Sequence, residues 1–221
     1  QAVIVRRYNK NIGAENLNAI TNEIMILRHD IESADNMSQL IGYEGFASKK
    51  YFSALSEILR DDFKFDSRTR QPPRDEFNSL LSFGYTLLFY EIYTAIVNSG
   101  LNPYAGIIHQ DRTNHPSLAS DLMEEWRAVI IDSMVLNAAS RKMFTKNDFI
   151  TDTESGGVYL KKEIIRKFVE LYETKVKTSS NYLSYLNTPM SFRRSINHQV
   201  NSLVNVFKNA DTSLYKPVLI R

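Results

Sequence analysis

The apolar stretch at residues 77–97 places the strongest constraint on the fold of this chain. It reads FNSLLSFGYTLLFYEIYTAIV and carries a single charged residue, Glu91, over a length that could cross a bilayer. The polar side chains of Asn78 and Ser82, and the lack of a basic flank on one side, argue against a membrane span. A helix that is apolar on all sides is typical of the centre of a helical bundle. The stretch therefore predicts a central helix at residues 76–99 and no membrane segment.

Helical periodicity dominates the rest of the sequence, and strict alternation of apolar and polar residues is rare. Pro72 and Pro73 exclude a helix just before the apolar stretch. Asp75 is placed to cap the start of that stretch, and Gly100 is placed to end it. Further helices are predicted at residues 14–29, 34–42, 44–60, 116–139, 158–185 and 191–209. We therefore predict an all-α fold, in which residues 1–221 form a single multi-helix domain around the apolar helix and residues 1–13 are a connector.

The composition excludes several classes of chemistry. The chain contains no cysteine, which rules out disulfides, thiolate metal sites and cysteine nucleophiles and fits a reducing compartment. Its 43% hydrophobic content supports a packed core. The net charge of +2 is only mildly basic, so nucleic-acid binding has to be inferred from where the charges lie. Because the sequence begins at Gln1 and shows no signal peptide, we expect a fragment or a processed product.

The stretch IIHQDRTNHPSLASDLMEEWR, at residues 107–127, brings a histidine and carboxylates into one region. His109 ends an apolar run, and the helix that starts near Pro116 puts Asp121 and Glu124 on one face. Apolar neighbours place Asp121 at the margin of the core, where a carboxylate needs a partner. Histidine and carboxylates can bind a divalent metal, and hard oxygen ligands favour Mg²⁺ or Mn²⁺ over Zn²⁺. A hydrogen-bonded core histidine beside solvated acids is the alternative.

Glu44 lies in a second motif, IGYEGFASKKYF, between Gly42 and Gly45. We expect a helix junction at this point, where Glu44 turns inward at the start of a helix whose dipole favours negative charge. The alternative is a first-turn glutamate that interacts with the helix dipole alone. The apolar neighbours in the motif favour the inward position.

Three motifs together resemble a known family. IGYEGFASKKYF, RQPPRDEFNSLLSFGYTLL and GIIHQDRTNHPSLASDLMEEWRAVIIDSMVL, in this order, are similar to the CRISPR-associated spacer integrase, the catalytic protein of CRISPR adaptation. The resemblance covers residues 37–168 and implies the C-terminal helical domain of the family, without its N-terminal β-domain. It implies that Glu44, His109 and Asp121 are catalytic and bind Mg²⁺ or Mn²⁺, with Glu124 as an additional acidic residue near the metal.

The resemblance also implies an activity and partners. A metal-dependent DNA integrase and endonuclease would join the 3′-hydroxyl ends of a protospacer to a CRISPR repeat by transesterification, which is spacer acquisition in antiviral defence. Its implied partners are a second copy in a homodimer and a small ferredoxin-like adaptation protein, in the prokaryotic cytoplasm. Strand transfer needs no covalent protein nucleophile, which agrees with the lack of cysteine. Two alternatives stay open: a metal-dependent nuclease that hydrolyses branched or single-stranded DNA, and a non-catalytic helical assembly module.

Basic residues have to offset the carboxylates of the candidate site if the chain binds DNA. The loop KFDSRTRQPPR carries four basic residues against one acid, and another follows His109 by three positions. We predict phosphate contacts from Arg68, Arg70, Arg74 and Arg112, with solvated surface residues as the alternative. The basic groups at residues 161–167 and 193–194 are left without a preferred role.

Two polar residues in apolar helical stretches also need partners. Asn78 follows the proline pair and either orients a ligand or a loop, or makes an ordinary core hydrogen bond. Asp132 follows an apolar run on the same predicted helix as Asp121, and we expect it to pair with a basic residue.

Overall fold

Helices carry most of the described chain. The computed structural model describes residues 1–59, 61–108, 115–181, 183, 185–186 and 188–218, without the side chains of Arg28 and Glu32. The chain is 67% helical with two small two-stranded sheets, which confirms the predicted all-α class. The α-helices are α1 (Ala2–Ile12), α2 (Glu15–Glu32), α3 (Met37–Ile58), α4 (Glu76–Asn98), α5 (Ser117–Arg127), α6 (Ser133–Ser140), α7 (Lys162–Lys177) and α8 (Phe192–Asn209).

The sheets are short antiparallel hairpins. Strand β1 (Phe149–Thr151) pairs with β2 (Val158–Leu160), and β3 (Ser179–Ser180) pairs with β4 (Met190–Ser191). The prediction of a helix from residue 158 is wrong, because that segment enters the first hairpin and the backbone N–H of Val158 donates to the Pro73 carbonyl at 2.8 Å. Helix α7 begins only after the hairpin.

The long apolar helix is present as α4, close to its predicted bounds. Asp75 caps its start, since its Oδ1 accepts from the backbone N–H of Asn78 at 2.7 Å. Gly100 follows its end with a φ of 77°, the left-handed conformation expected there. By length and composition α4 could cross a membrane. Its buried side chains, among them Leu88 and Ile92, are typical of the core helix of a packed domain.

A single helix, α3, replaces the two helices predicted at residues 34–42 and 44–60. The predicted junction at Gly42 and Gly45 is therefore wrong, and both glycines lie inside α3. An interior glycine costs a helix about 1 kcal/mol relative to alanine. The buried C-terminal half of α3, which includes Tyr51 and Leu55, offsets that cost through packing. Asn36 caps the start of the helix, since its side chain accepts from the N–H of Gln39 at 3.0 Å.

Residues assigned to a connector by the sequence form helix α1, whose Ile4 and Val5 are buried. The chain divides into two compact units. Unit 1 comprises residues 1–82 and 135–161, and unit 2 comprises residues 83–134 and 162–221. The core of unit 1 includes the stacked rings of Phe65 and Phe77, with centroids 4.8 Å apart. The single-domain assignment stays a prediction.

The apolar interior of unit 2 is built around large aromatic residues. Trp126, Phe168 and Phe192 are completely buried. Gly84 lies beside Phe168 without room for a side chain, because a Cβ there would come within 2.6 Å of the Ile131 Cγ2 atom. A π-helical segment, Ala128–Asp132, follows α5 directly and interrupts the helix predicted at residues 116–139.

Candidate functional site

Asp121 is held by the backbone of the segment before His109. It lies on α5 with 8% of its surface exposed. Its Oδ2 accepts from the N–H groups of Ile107 and Ile108, at 2.6 and 3.0 Å. Charge-assisted bonds of this kind are stronger than neutral ones, so they fix the carboxylate and the loop together. The predicted position at the core margin, with a partner, is confirmed.

The start of α5 is tied to the preceding loop by a second contact. The Leu118 N–H donates to the Pro103 carbonyl at 3.0 Å. Two predicted functional residues of this loop, His109 and Arg112, lie outside the described residues, and their assigned roles stay predictions. Just beyond them, the Nε2 atom of His115 lies 3.0 Å from the Ser120 Oγ atom of α5. The loop therefore has described anchors to α5 on both sides of residues 109–114.

Glu124 lies one helical turn after Asp121 and is paired with a buried arginine. Its Oε1 accepts from Arg127 Nη1 at 2.7 Å, and Arg127 is only 7% exposed. A buried guanidinium needs such a partner, and its charge offsets that of the helix face that bears the two acids. Sequence reasoning missed Arg127, although the spacing of three residues from Glu124 is a recognisable signal for an ion pair.

Glu44 is exposed in the interior of α3 and is not turned inward at a junction. The space beside it is open, since a Cβ built on Gly42 or Gly45 meets no atom within 4 Å. The apolar neighbours Ile41 and Phe46 are themselves 45% and 49% exposed. The predicted inward position is therefore wrong, because an unbroken helix keeps this face of α3 on the surface of unit 1.

The proposed metal ligands are distributed over the chain. Glu44 belongs to unit 1 and Asp121 to unit 2. Within the described residues, which leave out His109, no three histidine or acidic side chains are grouped so that they could hold a metal ion. The carboxylate oxygens of Asp121 and Glu124 fit a hard cation such as Mg²⁺ or Mn²⁺ by donor chemistry. The ligand set stays a prediction.

Asn78 organises the loop of predicted DNA-binding residues. It is completely buried, and its Oδ1 accepts from Arg68 Nη1 at 2.9 Å and from the Thr69 N–H at 3.1 Å. Its Nδ2 donates to the Ser67 carbonyl at 2.8 Å and to Asp75 Oδ2 at 2.6 Å. Of the roles predicted for Asn78, the orientation of a loop is the one the structure supports.

The arginines of this loop have different surroundings. Arg68 is half-buried, and its Nη2 donates to Ser82 Oγ at 3.0 Å. Arg74 is exposed, and its Nη1 donates to the Ser155 carbonyl of the β1–β2 hairpin at 2.8 Å. Arg70 is also exposed. Arg68 and Arg74 therefore also stabilise the loop through hydrogen bonds. The phosphate contacts predicted for all three arginines stay predictions.

A set of hydrogen bonds, which the sequence did not predict, joins α5 to the C-terminal segment. Glu125 accepts from the Tyr215 hydroxyl at 2.5 Å and from the Val218 N–H at 2.7 Å. The Tyr215 hydroxyl also accepts from Gln199 Nε2 at 3.0 Å, and Gln199 Oε1 accepts from Trp126 Nε1 at 2.7 Å. Burial, followed by the charge of Glu125, raises the pKa of Tyr215. The partners lie far apart in the chain and share no sequence motif.

Two further polar groups stabilise unit 2. The Tyr85 hydroxyl donates to Asp132 Oδ1 at 2.5 Å, while the basic partner expected for Asp132 stays a prediction. Arg193, from a basic group left without a role, donates to Glu91 at 2.5 and 2.9 Å and to Glu173 at 2.8 and 3.2 Å. Hydrogen bonds from Arg193 and Lys177 lower the pKa of Glu173 to about 2. Arg193 is therefore committed to an ion-pair network.

Comparison with known proteins agrees with the motifs. Residues 1–174 match the family CRISPR associated protein Cas1. The chain is 38% identical over 192 residues to a CRISPR-associated endonuclease Cas1 of Thermus thermophilus, covering 87% of the chain and 57% of the relative. It is 34% identical over 192 residues to the CRISPR-associated endonuclease Cas1 of Mycobacterium tuberculosis, covering 86% and 57%. The chain thus spans little more than half the length of these relatives.

A solved structure shares the fold. The protein in a partial Cas6-RT-Cas1–Cas2 complex superposes with a TM-score of 0.80 at 26% identity, covering 98% of this chain and 66% of that one. The family match spans well over half of the chain, and the motif resemblance is confirmed. This chain belongs to the CRISPR associated protein Cas1 family.

Proposed function

We propose that this chain is the catalytic helical domain of a CRISPR spacer integrase. It joins the 3′-hydroxyl ends of a protospacer to a CRISPR repeat by metal-dependent transesterification. The observation that carries the proposal is the Asp121 carboxylate, which receives the N–H groups of Ile107 and Ile108. His109, the second proposed ligand, follows Ile108 directly in the sequence. The endonuclease names of the relatives support the reaction class.

Glu44, His109 and Asp121 are the proposed ligands of Mg²⁺ or Mn²⁺. A bound ion would act as a Lewis acid on the scissile phosphodiester and lower the pKa of the attacking hydroxyl. The protein residues contribute orientation, because the N–H groups of Ile107 and Ile108 fix one oxygen of Asp121 before substrate arrives. Arg127 balances the charge of Glu124 on the same face of α5, which limits repulsion of an incoming phosphate.

The proposed reaction exchanges one phosphodiester for another. The protospacer 3′-oxygen bonds to phosphorus at the edge of the repeat and loses its proton. The bond from phosphorus to the 3′-oxygen of the repeat strand breaks, and that oxygen takes up a proton. Arg68, Arg70, Arg74 and Arg112 are the proposed phosphate contacts, which would bind independently of DNA sequence and weaken with salt.

The proposed assembly is a homodimer with a small ferredoxin-like adaptation protein, acting in the prokaryotic cytoplasm. The structurally similar protein described as part of a Cas1–Cas2 complex supports a protein partner. Because this chain spans little more than half of its relatives, the activity of the whole protein belongs to the proposal as well.

The decisive experiment supplies a protospacer-like duplex, with or without a free 3′-hydroxyl, and a repeat-bearing target in the presence of Mn²⁺. The proposal expects joined product only when the 3′-hydroxyl is free. Equal cleavage of the target in the presence of either duplex would instead support the hydrolytic nuclease. No effect of Mn²⁺ on either the melting temperature or DNA reactivity would support a non-catalytic assembly module.

A matched pair of variants tests the ligand assignment. Asp121→Asn is expected to lower joining on the order of a hundredfold or more. Glu163→Gln, which changes an exposed carboxylate on α7 in the same way, is expected to leave joining unchanged. Full joining by Asp121→Asn would show that the ligand assignment is wrong.

A further inference from the structure

Helix α1 presents three exposed cations and no acidic residue. Its sequence is AVIVRRYNKNI, in which Arg6, Arg7 and Lys10 are exposed while Ile4 and Val5 are buried. Like charges one helical turn apart destabilise a helix by a few tenths of a kcal/mol per pair. Arg6 and Lys10 have this spacing, so the helix bears a repulsion that a polyanionic partner would relieve.

A distant segment adds two more cations beside α1. The Tyr8 side chain of α1 lies beside that of Ser140 at the end of α6. Arg141 and Lys142 follow Ser140 directly, and both are exposed. Arg7 directly precedes Tyr8 in the sequence, so the contact of Tyr8 with Ser140 brings the two basic segments near each other. We name Arg6, Arg7, Lys10, Arg141 and Lys142 the α1 cation surface.

The described acidic partner of this surface provides little compensation. Lys142 Nζ lies 3.8 Å from Asp61 Oδ2, and the two side chains are 80% and 72% exposed. Exposed pairs of this kind contribute little because water and salt screen them. The whole chain carries 27 basic and 25 acidic residues, so the α1 cation surface is a local excess that the composition hides.

We propose that the α1 cation surface binds the phosphate backbone of the DNA on which the proposed integrase acts. The inference rests on the proposed function for the identity of the polyanion. Three of the five residues are arginines, whose planar donors match phosphate oxygens. A protein partner would instead require an apolar or aromatic centre in the interface, and this surface consists of long charged side chains.

The test compares two triple variants of the full chain with equal loss of charge. The first, Arg7→Gln with Lys10→Gln and Arg141→Gln, removes cations of the α1 cation surface. The control, with Lys162→Gln, Arg194→Gln and Lys208→Gln, removes three exposed cations of α7 and α8. Duplex binding is measured by fluorescence anisotropy in EDTA at about 50 to 200 mM salt, a range over which phosphate contacts weaken steeply. Circular dichroism verifies that each variant is folded.

The first variant is expected to flatten the plot of log K against log salt by about 2 to 3 units, since each lost phosphate contact contributes about 0.9. The control is expected to retain the parental slope. An unchanged slope in the first variant, or an equal loss in the control, would overturn the proposal. The proposal would also be overturned if the first variant kept the parental salt dependence of DNA binding but lost binding to polyglutamate. That result would assign the surface to an acidic protein.

The two proposals can fail separately. Binding in EDTA does not depend on metal, so the slope reports the α1 cation surface even if Asp121→Asn leaves joining unchanged. Conversely, 3′-hydroxyl-dependent joining that requires Asp121 would support the proposed function even if the slope of the first triple variant equals that of the parent.

Discussion

Asp121 and Glu44 are assigned to the same proposed ion, but they lie in very different surroundings. Asp121 is nearly buried and receives two backbone N–H groups, so its orientation is fixed by the fold. Glu44 is exposed on α3, beside two glycines with open space around them. One proposed ligand is therefore buried and held by backbone N–H groups, whereas the other lies on an exposed helix face. The comparison predicts that the two residues contribute equally to catalysis and unequally to stability.

The largest effect is expected for Asp121→Asn, because the substitution removes both a ligand charge and two charge-assisted bonds. Joining should fall on the order of a hundredfold or more, since a bound ion contributes several kcal/mol to the transition state. The free energy of unfolding should fall by about 1–3 kcal/mol. Gel-based joining and urea denaturation measure the two losses. An unchanged unfolding midpoint would remove the contrast with Glu44.

Glu44→Gln should produce the same loss of joining with almost no loss of stability. An exposed substitution of this kind typically changes the free energy of unfolding by less than about 0.5 kcal/mol. The same two assays apply, with Glu163→Gln as the control on another exposed helix face. A destabilisation as large as that of Asp121→Asn would mean that Glu44 is also part of the framework.

Tyr215→Phe tests whether the contact with the C-terminal segment helps to hold α5 in place. The loss of the hydroxyl bond to Glu125 should lower the free energy of unfolding by about 1 kcal/mol. Joining should fall less than about tenfold, because the tail positions α5 without contacting the reacting groups. Tyr90→Phe, at a tyrosine that is 62% exposed, is the control. Identical behaviour of the two variants would leave α5 anchored by its loop alone.

The smallest effect concerns acid stability in unit 2, which contains α5. Hydrogen bonds from Arg193 and Lys177 lower the pKa of Glu173 from its ordinary value of 4.5 to about 2. A lowered pKa means that the stabilisation is fully present above pH 4.5 and is lost as the pH falls toward 2. Arg193→Gln should therefore flatten the decline in melting temperature across this range. A decline equal to that of the parent would exclude Glu173 as a contributor.

Local signals in the sequence predicted the long helix better than its neighbours. The bounds of α4 follow from a proline pair, a capping aspartate and a glycine, all within reach of a short window. The continuity of α3 depends on the packing of Tyr51 and Leu55, which a window around Gly42 and Gly45 does not contain. The β1–β2 hairpin has three-residue strands, too short for an alternating pattern to be recognised.

The same distinction applies to the candidate site. The position of Asp121 at the margin of the core could be predicted from its apolar neighbours on one helix. Its proposed role as a metal ligand comes from the motif resemblance. The ion pair of Arg127 with Glu124 could have been predicted from their spacing of three residues on one helix. The contacts of Glu125 with Tyr215 and of Tyr8 with Ser140 join segments that are far apart in the chain, so a single sequence gives no signal for either.

The π-helical turn at Ala128–Asp132 has a consequence for the acidic residues of this region. In a regular α-helix, the 11 positions from residue 121 to residue 132 would bring Asp132 to within about 20° of Asp121 around the axis. The two acids would then lie on one face of the helix, about 16 Å apart along its axis. The wider turn offsets that alignment, and Oδ1 of Asp132 accepts the hydroxyl of Tyr85. A π-helical turn holds about one residue more than an α-helical turn, so deleting one residue from it is expected to leave the Asp132 carboxylate beside Tyr85.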